Sequence, residues 1–285
     1  MTRKSWYHFA LVSLLWGIPY LLMKVAVEDF PPAAVVAGRT LIGALILIPI
    51  AIYRKKFGGA VLGFKYVAFY ALMEMIGPWI LITTAEQKIN SGLAGLLVST
   101  VPIFSTIISS LRGDHSVWQF KRVFGIVVGF IGLILVVGIE SLSGNSDPLS
   151  IAMVIVASMG YAYAVIMVTT NLPLVDGIAI NGLAMAITTV FWAPVAIAQW
   201  PASISMNSAL SLIALGIFST AIAFIIFFKV IAEIGPARSS LVTYLNTAIA
   251  VLLGVVILRE PLTVGIIVGL PLVLIGSYLA SRKTA

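Results

Sequence analysis

The chain has 285 residues, of which 61% are hydrophobic and 9% are charged, whereas soluble domains carry roughly 25% charged residues. Since no soluble fold of this length could bury so much apolar sequence, the composition predicts an integral membrane protein and excludes the soluble classes. The chain has no cysteine, which excludes disulfides, thiolate metal sites and cysteine nucleophiles. Its formal net charge of +7 is explained by loops that face an anionic membrane surface, so no nucleic-acid partner is expected.

Apolar stretches long enough to cross a membrane follow one another along the whole chain. A spanning helix needs about 20 mostly apolar residues. The first stretch begins after Lys4 like a signal peptide, but it lacks a small-x-small cleavage site and is interpreted as a retained helix. The sequence therefore predicts an all-α integral membrane protein with ten transmembrane helices, at residues 6–26, 33–53, 64–84, 89–110, 121–139, 149–169, 177–199, 207–230, 236–257 and 263–281.

The two halves of the chain resemble each other, and each half contains five of the predicted spans. Leu111-Arg112-Gly113-Asp114, near the end of the first half, corresponds to Leu258-Arg259-Glu260-Pro261 near the end of the second half. An odd number of spans in each half makes the second half run in the opposite direction across the membrane. We therefore expect two inverted five-helix repeats, residues 1–140 and 141–285, an arrangement common among transporters.

The basic residues indicate how the chain is oriented in the membrane. If the N-terminus lies inside, thirteen of the 17 Lys and Arg residues lie on the inner side, and Arg39 lies within a span. The outer side then holds only Lys24, Lys88 and Arg259. Because basic residues concentrate in cytoplasmic loops, this bias predicts a multi-pass protein with both termini in the cytoplasm.

Three features of the sequence carry a resemblance to a known family. They are Trp16-Gly17 in the first span, Arg39 in the second, and the segment 258–262 between the last two spans. With these features the chain resembles the drug/metabolite transporter superfamily, specifically its ten-helix EamA branch, over nearly its whole length. The resemblance implies a secondary transporter of the bacterial inner membrane that exports aromatic and other neutral amino acids by alternating access. Its expected partners are an amino acid substrate and the lipid bilayer.

Two charged residues lie deep within predicted spans, where a polar group normally faces a cavity or a partner. Glu74 is the only carboxylate there, and we expect it to bind substrate and to couple export to proton entry as a proton acceptor. The alternative is a structural pairing role. Arg39 is the only deep basic residue and is expected to form a structural ion pair, with Glu74 as its candidate partner. Its alternative role is to hold a substrate carboxylate through its bidentate guanidinium.

Further substrate-binding candidates occupy corresponding positions in the two halves, or follow Gly77 where a proline should interrupt the third span. Polar side chains in such positions could form the facing walls of a central cavity, and aromatic rings could stack on the substrate. The alternatives are helix packing, hydrogen bonds between helices and anchoring at the membrane interface. These candidates are Trp16, Tyr20, Pro78, Trp79, Ser99, Tyr163, Tyr244 and Asn246.

Two Gly-x-x-x-Gly pairs are expected to serve helix packing. They are Gly125 with Gly129 and Gly265 with Gly269. Small residues at this spacing let two helices approach closely, within one protomer or between two. The sequence does not identify an oligomeric partner.

Enzymatic functions find little support in the sequence. His8 and His115 are the only histidines, and they lack metal-binding spacing; there is also no phosphate-binding loop for ATP. We therefore expect no metal, no cofactor and no enzymatic activity. Two alternatives to amino acid export stay open. One is export of cationic drugs such as paraquat, which a membrane acid and aromatic walls would also suit. The other is a non-transporting membrane partner subunit.

Overall fold

The structure, a computed structural model, describes residues 2–113, 118–142, 147–235, 239 and 241–281. Every secondary-structure element in these residues is helical, which confirms the all-α prediction. Besides a short helix at Phe57–Leu62, ten principal helices follow the predicted spans. They are α1 Arg3–Ala26, α2 Pro32–Tyr53, α3 Phe64–Ala85, α4 Ser91–Leu111, α5 Phe120–Leu142, α6 Pro148–Asn171, α7 Gly177–Ala198, α8 Met206–Ile234, α9 Val242–Val256 and α10 Val264–Ser281.

The helices have the length and composition of membrane-spanning segments. Within the described residues, the seven helices α1–α4 and α6–α8 are long and apolar enough to cross a membrane. The helices α9 and α10 are apolar but shorter, and α5 has 23 residues. In hydrocarbon a helix satisfies its own backbone hydrogen bonds, which is why a chain of this composition adopts helices throughout.

Proline and glycine interrupt the helices at identifiable places. In α1 the helical segment Arg3–Gly17 ends two residues before Pro19, and a second segment begins at that proline. In α3 a π-helical turn over Leu72–Ile76 directly precedes Gly77 and Pro78. Since proline supplies no N–H for the carbonyl four residues earlier, the extra residue of the π turn accommodates the break. The α3 break predicted at Gly77-Pro78 therefore takes the form of a π turn.

The pattern of helix pairing is the same in both halves. α2 packs on α7, α4 on α9 and α5 on α10. α1 contacts α8 and α9, and α6 correspondingly contacts α3 and α4. Exchanging the two halves therefore maps each of the first three pairs onto itself and maps the two α1 pairs onto the two α6 pairs. The helices α3 and α8, which correspond under this exchange, both contain a π-helical segment.

Contacts at the two ends of the bundle establish that the repeats are inverted. We call the end that carries Arg3 and Ala280 the terminal end and the opposite end the distal end. At the distal end, Lys24 in the last turn of α1 donates a hydrogen bond to the carbonyl of Glu86 (2.6 Å). Nearby, Lys88 lies 3.9 Å from Asp147, the N-cap of α6. Because α6 starts at the end where α1 finishes, the second repeat runs opposite to the first. The repeat boundary at residue 140 stays a prediction.

The close packing of α5 on α10 depends on glycines. A Cβ at Gly276 would meet the backbone nitrogen and Cα of Gly129, and a Cβ at Gly125 would meet the backbone of Ala280. At Gly269 a Cβ would meet the side chain of Val136. Three of the four glycines predicted to serve packing thus lie at this contact, and the fourth, Gly265, is buried in α10.

Replacement of Gly276 by Ala should force α5 and α10 apart, because the obstructing atoms belong to the backbone of Gly129 and cannot rotate away. We expect the free energy of unfolding to fall by about 1–3 kcal/mol, measured by unfolding the purified protein in detergent. The matched control is Gly58→Ala, where a Cβ would meet no atom within 4 Å. Equal losses from the two substitutions would contradict the packing role.

Candidate functional site

A cavity of about 690 Å³ lies between the two repeats. Its walls come from α1–α4 and α6–α9, and none of its described lining residues belongs to α5 or α10. The lining starts at Met23, Arg39 and Ile82 in the distal half and continues to Leu172 and Ile231 near the terminal end. The cavity therefore opens toward the terminal end.

Arg39 lies at the closed part of the cavity. α2 holds its side chain in a buried position, where the guanidinium lies over the Trp79 ring with its Cζ 3.9 Å from the ring centroid. The Arg39 nitrogens donate hydrogen bonds to Thr220 Oγ1 (3.2 Å and 3.3 Å) and to Met23 Sδ (3.4 Å). A hydroxyl and a thioether are weak acceptors for a cation, so this guanidinium keeps donor capacity for an anion.

Glu74 lines the same cavity from the π turn of α3. Its Oε2 atom is buried and has no hydrogen-bond partner among the described residues. Ser219, on the π segment of α8, is equally buried, and its Oγ also lacks a partner in that part of the chain. Buried polar atoms are normally paired, so these two atoms mark places where a ligand could complete the bonding.

The predicted ion pair between Arg39 and Glu74 is not formed. Among the residues that the structure describes, the side-chain ion pairs are His8–Glu233 and Lys88–Asp147. The physical reason is that α2 directs Arg39 onto Trp79 and Thr220, so its guanidinium contacts these side chains instead of Glu74 in the π turn of α3. An acidic and a basic side chain thus face one cavity without pairing with each other.

Aromatic rings form much of the remaining wall. Trp16 packs edge-on against Phe224 (5.5 Å between ring centroids) and lies 4.5 Å from the ring of Phe227. Tyr70 donates a hydrogen bond to Asn181 Oδ1 (3.0 Å), which ties α3 to α7. These side chains combine apolar faces with a few fixed polar atoms, as is typical of small-molecule sites.

The candidates named from the sequence divide into two groups. Trp16, Tyr20, Trp79 and Asn246 line the cavity together with Glu74 and Arg39. Four other candidates lie outside the described lining and pack between helices instead. Pro78 faces Gly160 of α6, Ser99 accepts a hydrogen bond from Ser277 at its carbonyl (2.8 Å), Tyr163 packs edge-on against Phe69, and Tyr244 packs edge-on against Tyr278.

Several lining residues were not singled out from the sequence. Asn181 and Ser219 lie in apolar spans and could have been found by the same rule that selected Glu74. Tyr70 and Tyr161 carried no distinguishing signal, because tyrosine is frequent in membrane helices in other roles. The repeat comparison pointed to Tyr163, whereas the cavity is lined by Tyr161.

The distal end of the bundle is closed by contacts between loops. The ammonium of Lys24 donates to the carbonyls of Glu86 (2.6 Å) and Ile89 (2.8 Å). The carboxylate of Glu260, in the loop between α9 and α10, accepts hydrogen bonds from the backbone N–H and hydroxyl of Ser91 (both 2.8 Å). Glu260 thus caps the N-terminus of α4 from the other repeat. The aligned residue in the first repeated motif is Gly113, and the neighbouring acid Asp114 lies outside the described residues.

Comparisons with known proteins give the following matches. The model of the EamA-like transporter family matches the chain twice, at residues 4–138 and 148–282. The uncharacterized transporter YoaV of Bacillus subtilis is 28% identical over 277 residues, which cover 94% of this chain and 93% of that protein. The uncharacterized inner membrane transporter YedA of Escherichia coli K12 is 27% identical over 286 residues, covering 96% and 92%. A solved crystal structure superimposes on 98% of both chains with a TM-score of 0.66 at 17% identity, which is a likeness of fold.

Removal of the Glu260 carboxylate should loosen the distal end. Glu260→Ala leaves the N–H and hydroxyl of Ser91 without their acceptor, and we expect a loss of about 1–3 kcal/mol in unfolding free energy. Thermal unfolding in detergent measures the change. The matched control is Glu28→Ala, an exposed acid at the same end, which should change stability by less than about 0.5 kcal/mol. A neutral Glu260→Ala variant would rule out the capping role.

Proposed function

Because the chain belongs to the EamA-like transporter family, it is a membrane transporter, and we propose that it exports neutral amino acids by alternating access. The observation that carries this proposal is the pair of one basic and one acidic side chain, Arg39 and Glu74, which face one aromatic cavity without pairing with each other. An α-amino acid is a zwitterion and presents one group of each sign. Aromatic and other neutral side chains fit a wall of this kind.

The carboxylate of the substrate would bind at the closed part of the cavity. Arg39 can replace its weak contact with Met23 by a bidentate hydrogen bond to a carboxylate. The Ser219 hydroxyl, which lines the cavity beside Thr220, can donate a further bond. Trp79 keeps the guanidinium in place in the empty state, because its ring face attracts the cation.

The ammonium group of the substrate would bind at Glu74. Its free Oε2 can accept a hydrogen bond from an ammonium, and the same oxygen can take a proton. Substrate and proton would then compete for one carboxylate, which is a simple physical basis for proton antiport. Facilitated diffusion down a steep outward gradient is the alternative, and it requires no such competition.

The side chain of the substrate would lie among the aromatic rings of α1 and α8. Trp16 and Phe224 offer ring faces and edges, and the volume of about 690 Å³ lies within the roughly 300–1,000 Å³ typical of ligand pockets. Such a wall selects substrates by the size and apolarity of their side chains and does not require one particular side chain. A broad range of neutral amino acids is therefore expected.

An organic cation is the second candidate substrate. Glu74 and the aromatic walls would suit it, but the guanidinium of Arg39 in the same cavity opposes a cation that has no carboxylate. The zwitterion uses both charges, whereas the cation uses one and is repelled by the other. The geometry thus favours amino acids.

A counterflow assay with purified protein in liposomes tests the substrate class. Neutral amino acids should exchange, while the corresponding amines and amides, which lack the carboxylate, should exchange at least about tenfold more weakly, as expected for loss of a charged hydrogen bond. Empty liposomes and heat-unfolded protein serve as controls. Exchange of organic cations without exchange of any amino acid would overturn the proposal.

The coupling role of Glu74 can be tested by Glu74→Gln. The amide can still accept a hydrogen bond from the substrate but cannot take up a proton. We expect uphill transport driven by a pH gradient to be lost, while exchange down a gradient persists with weaker apparent affinity. Glu28→Gln, at an exposed loop position, is the matched control. If uphill transport survives unchanged in Glu74→Gln, the carboxylate does not couple protons.

A further inference from the structure

A second buried carboxylate lies outside the cavity lining. Glu86 directly follows the last residue of α3 at the distal end, and its side chain is completely buried. Neither of its carboxylate oxygens has a hydrogen-bond partner in the described part of the chain. Glu74 lies on the same helix, 12 residues earlier, which corresponds to roughly 18 Å along the helix axis.

The charged and titratable groups that act on Glu86 lie on α1, on α2 and in the loop between α9 and α10. They are Tyr20 and Lys24 from α1, Arg39 from α2, and Glu260 from the loop between α9 and α10. None of these groups hydrogen-bonds the carboxylate within the described residues, because each of the three charged neighbours is already engaged elsewhere. Lys24 binds backbone carbonyls, Arg39 binds Thr220, and Glu260 binds Ser91.

An ionised carboxylate in this position is strongly disfavoured. Burial without hydrogen bonds costs a charged group far more than a neutral one, and the C-terminus of α3 adds its own negative partial charge. Burial accordingly raises the pKa of Glu86 well above its usual range, although Lys24 and Arg39 act in the opposite direction. The closed distal end is therefore compatible with a protonated Glu86 side chain.

We propose that Glu86 is a second proton-binding site, and that the proton it binds allows the distal end to close. In the open state, water reaches the carboxylate and stabilises its charge. In the closed state, the carboxyl group must be neutral, so closure takes up one proton. With the termini in the cytoplasm, as the basic residues predict, the distal end faces the outside, and protonation of Glu86 from that side is linked to occlusion of the cavity.

The direction of the pH effect follows from this linkage. The closed state has the higher pKa, so closure is fully favoured below the ordinary carboxyl pKa of about 4.3. This advantage is lost as the pH rises toward the raised pKa of the closed state. Between the two values, the equilibrium shifts toward the open state by up to about tenfold per pH unit, as one bound proton requires.

Tyr20 connects this site to the cavity. Its ring lines the cavity wall, and Glu86 and Arg39 are the charged groups that act on its hydroxyl. Glu86 therefore lies just beyond the closed part of the cavity, at the point where an opening toward the distal side would begin. The proposal concerns this gate and does not depend on the identity of the substrate.

The absence of cysteine allows a single reporter thiol to test the gate. Val98 lines the cavity from α4, so a thiol in Val98→Cys should react with a membrane-impermeant maleimide added outside cells only when the distal end opens. An exposed thiol in the distal loop, Ser203→Cys, corrects for the rise of thiol reactivity with pH. The ratio of the two labelling rates should rise as the external pH increases from about 5 to about 8.

Variants in the Val98→Cys background assign this pH dependence to one residue. Glu86→Gln is neutral at every pH, so labelling should stay slow and independent of pH. The matched control Glu28→Gln, at an exposed position of the distal end, should keep the pH dependence. Lys24→Gln keeps a donor for the backbone carbonyls but removes the positive charge, so the midpoint should move to higher pH.

The outcomes that would overturn the proposal are distinct from a failure of the proposed transport function, because labelling requires no substrate. A pH-independent ratio in Val98→Cys would overturn it, as would an unchanged pH dependence in the Glu86→Gln background. If Glu86→Gln does not accumulate in the membrane, the Lys24→Gln variant tests whether Glu86 is the titrating group. An unshifted midpoint there would exclude Glu86 as the titrating group.

Discussion

The structure depends on one constraint, which is that a polar group in hydrocarbon must find its partner inside the protein. Helices satisfy this constraint along most of the chain. Where α3 is interrupted before Pro78, the carbonyl of Ile76 accepts a hydrogen bond from the Trp192 indole (3.1 Å) of α7. Just after the end of α3, the ammonium of Lys24 from α1 likewise donates hydrogen bonds to the carbonyls of Glu86 and Ile89.

Among the described residues, the buried side-chain groups that escape this constraint are few, and they lie where function is proposed. Ser219 and Glu74 leave an atom unpaired in the cavity, and Glu86 leaves two unpaired at the distal end. A membrane protein retains such groups at considerable cost. Their placement on corresponding helices, α3 and α8, fits a transporter in which two related halves share one substrate and move against each other.

The rule that deep polar residues face a cavity located Arg39 and Glu74 from the sequence alone, and the structure places both on one cavity. Comparison of the two repeats was less reliable for individual side chains. Tyr161 and Tyr163 are two residues apart, so they point about 200° apart around a helix, and only Tyr161 lines the cavity. A repeat alignment therefore identifies corresponding helices more securely than corresponding faces, especially where a π turn shifts the register.

The sequence by itself determined the all-helical membrane fold, the ten helices and the inverted repeat, because composition, span length and an odd helix number per half leave few alternatives. Only the tertiary structure decided which polar groups pair. It separated Arg39 from Glu74, placed Glu260 on the N-terminus of α4 and left Glu86 buried without a partner among the described residues. The reason is that pairing depends on how distant helices rotate and cross, which side-chain packing between the two halves sets and no local pattern encodes.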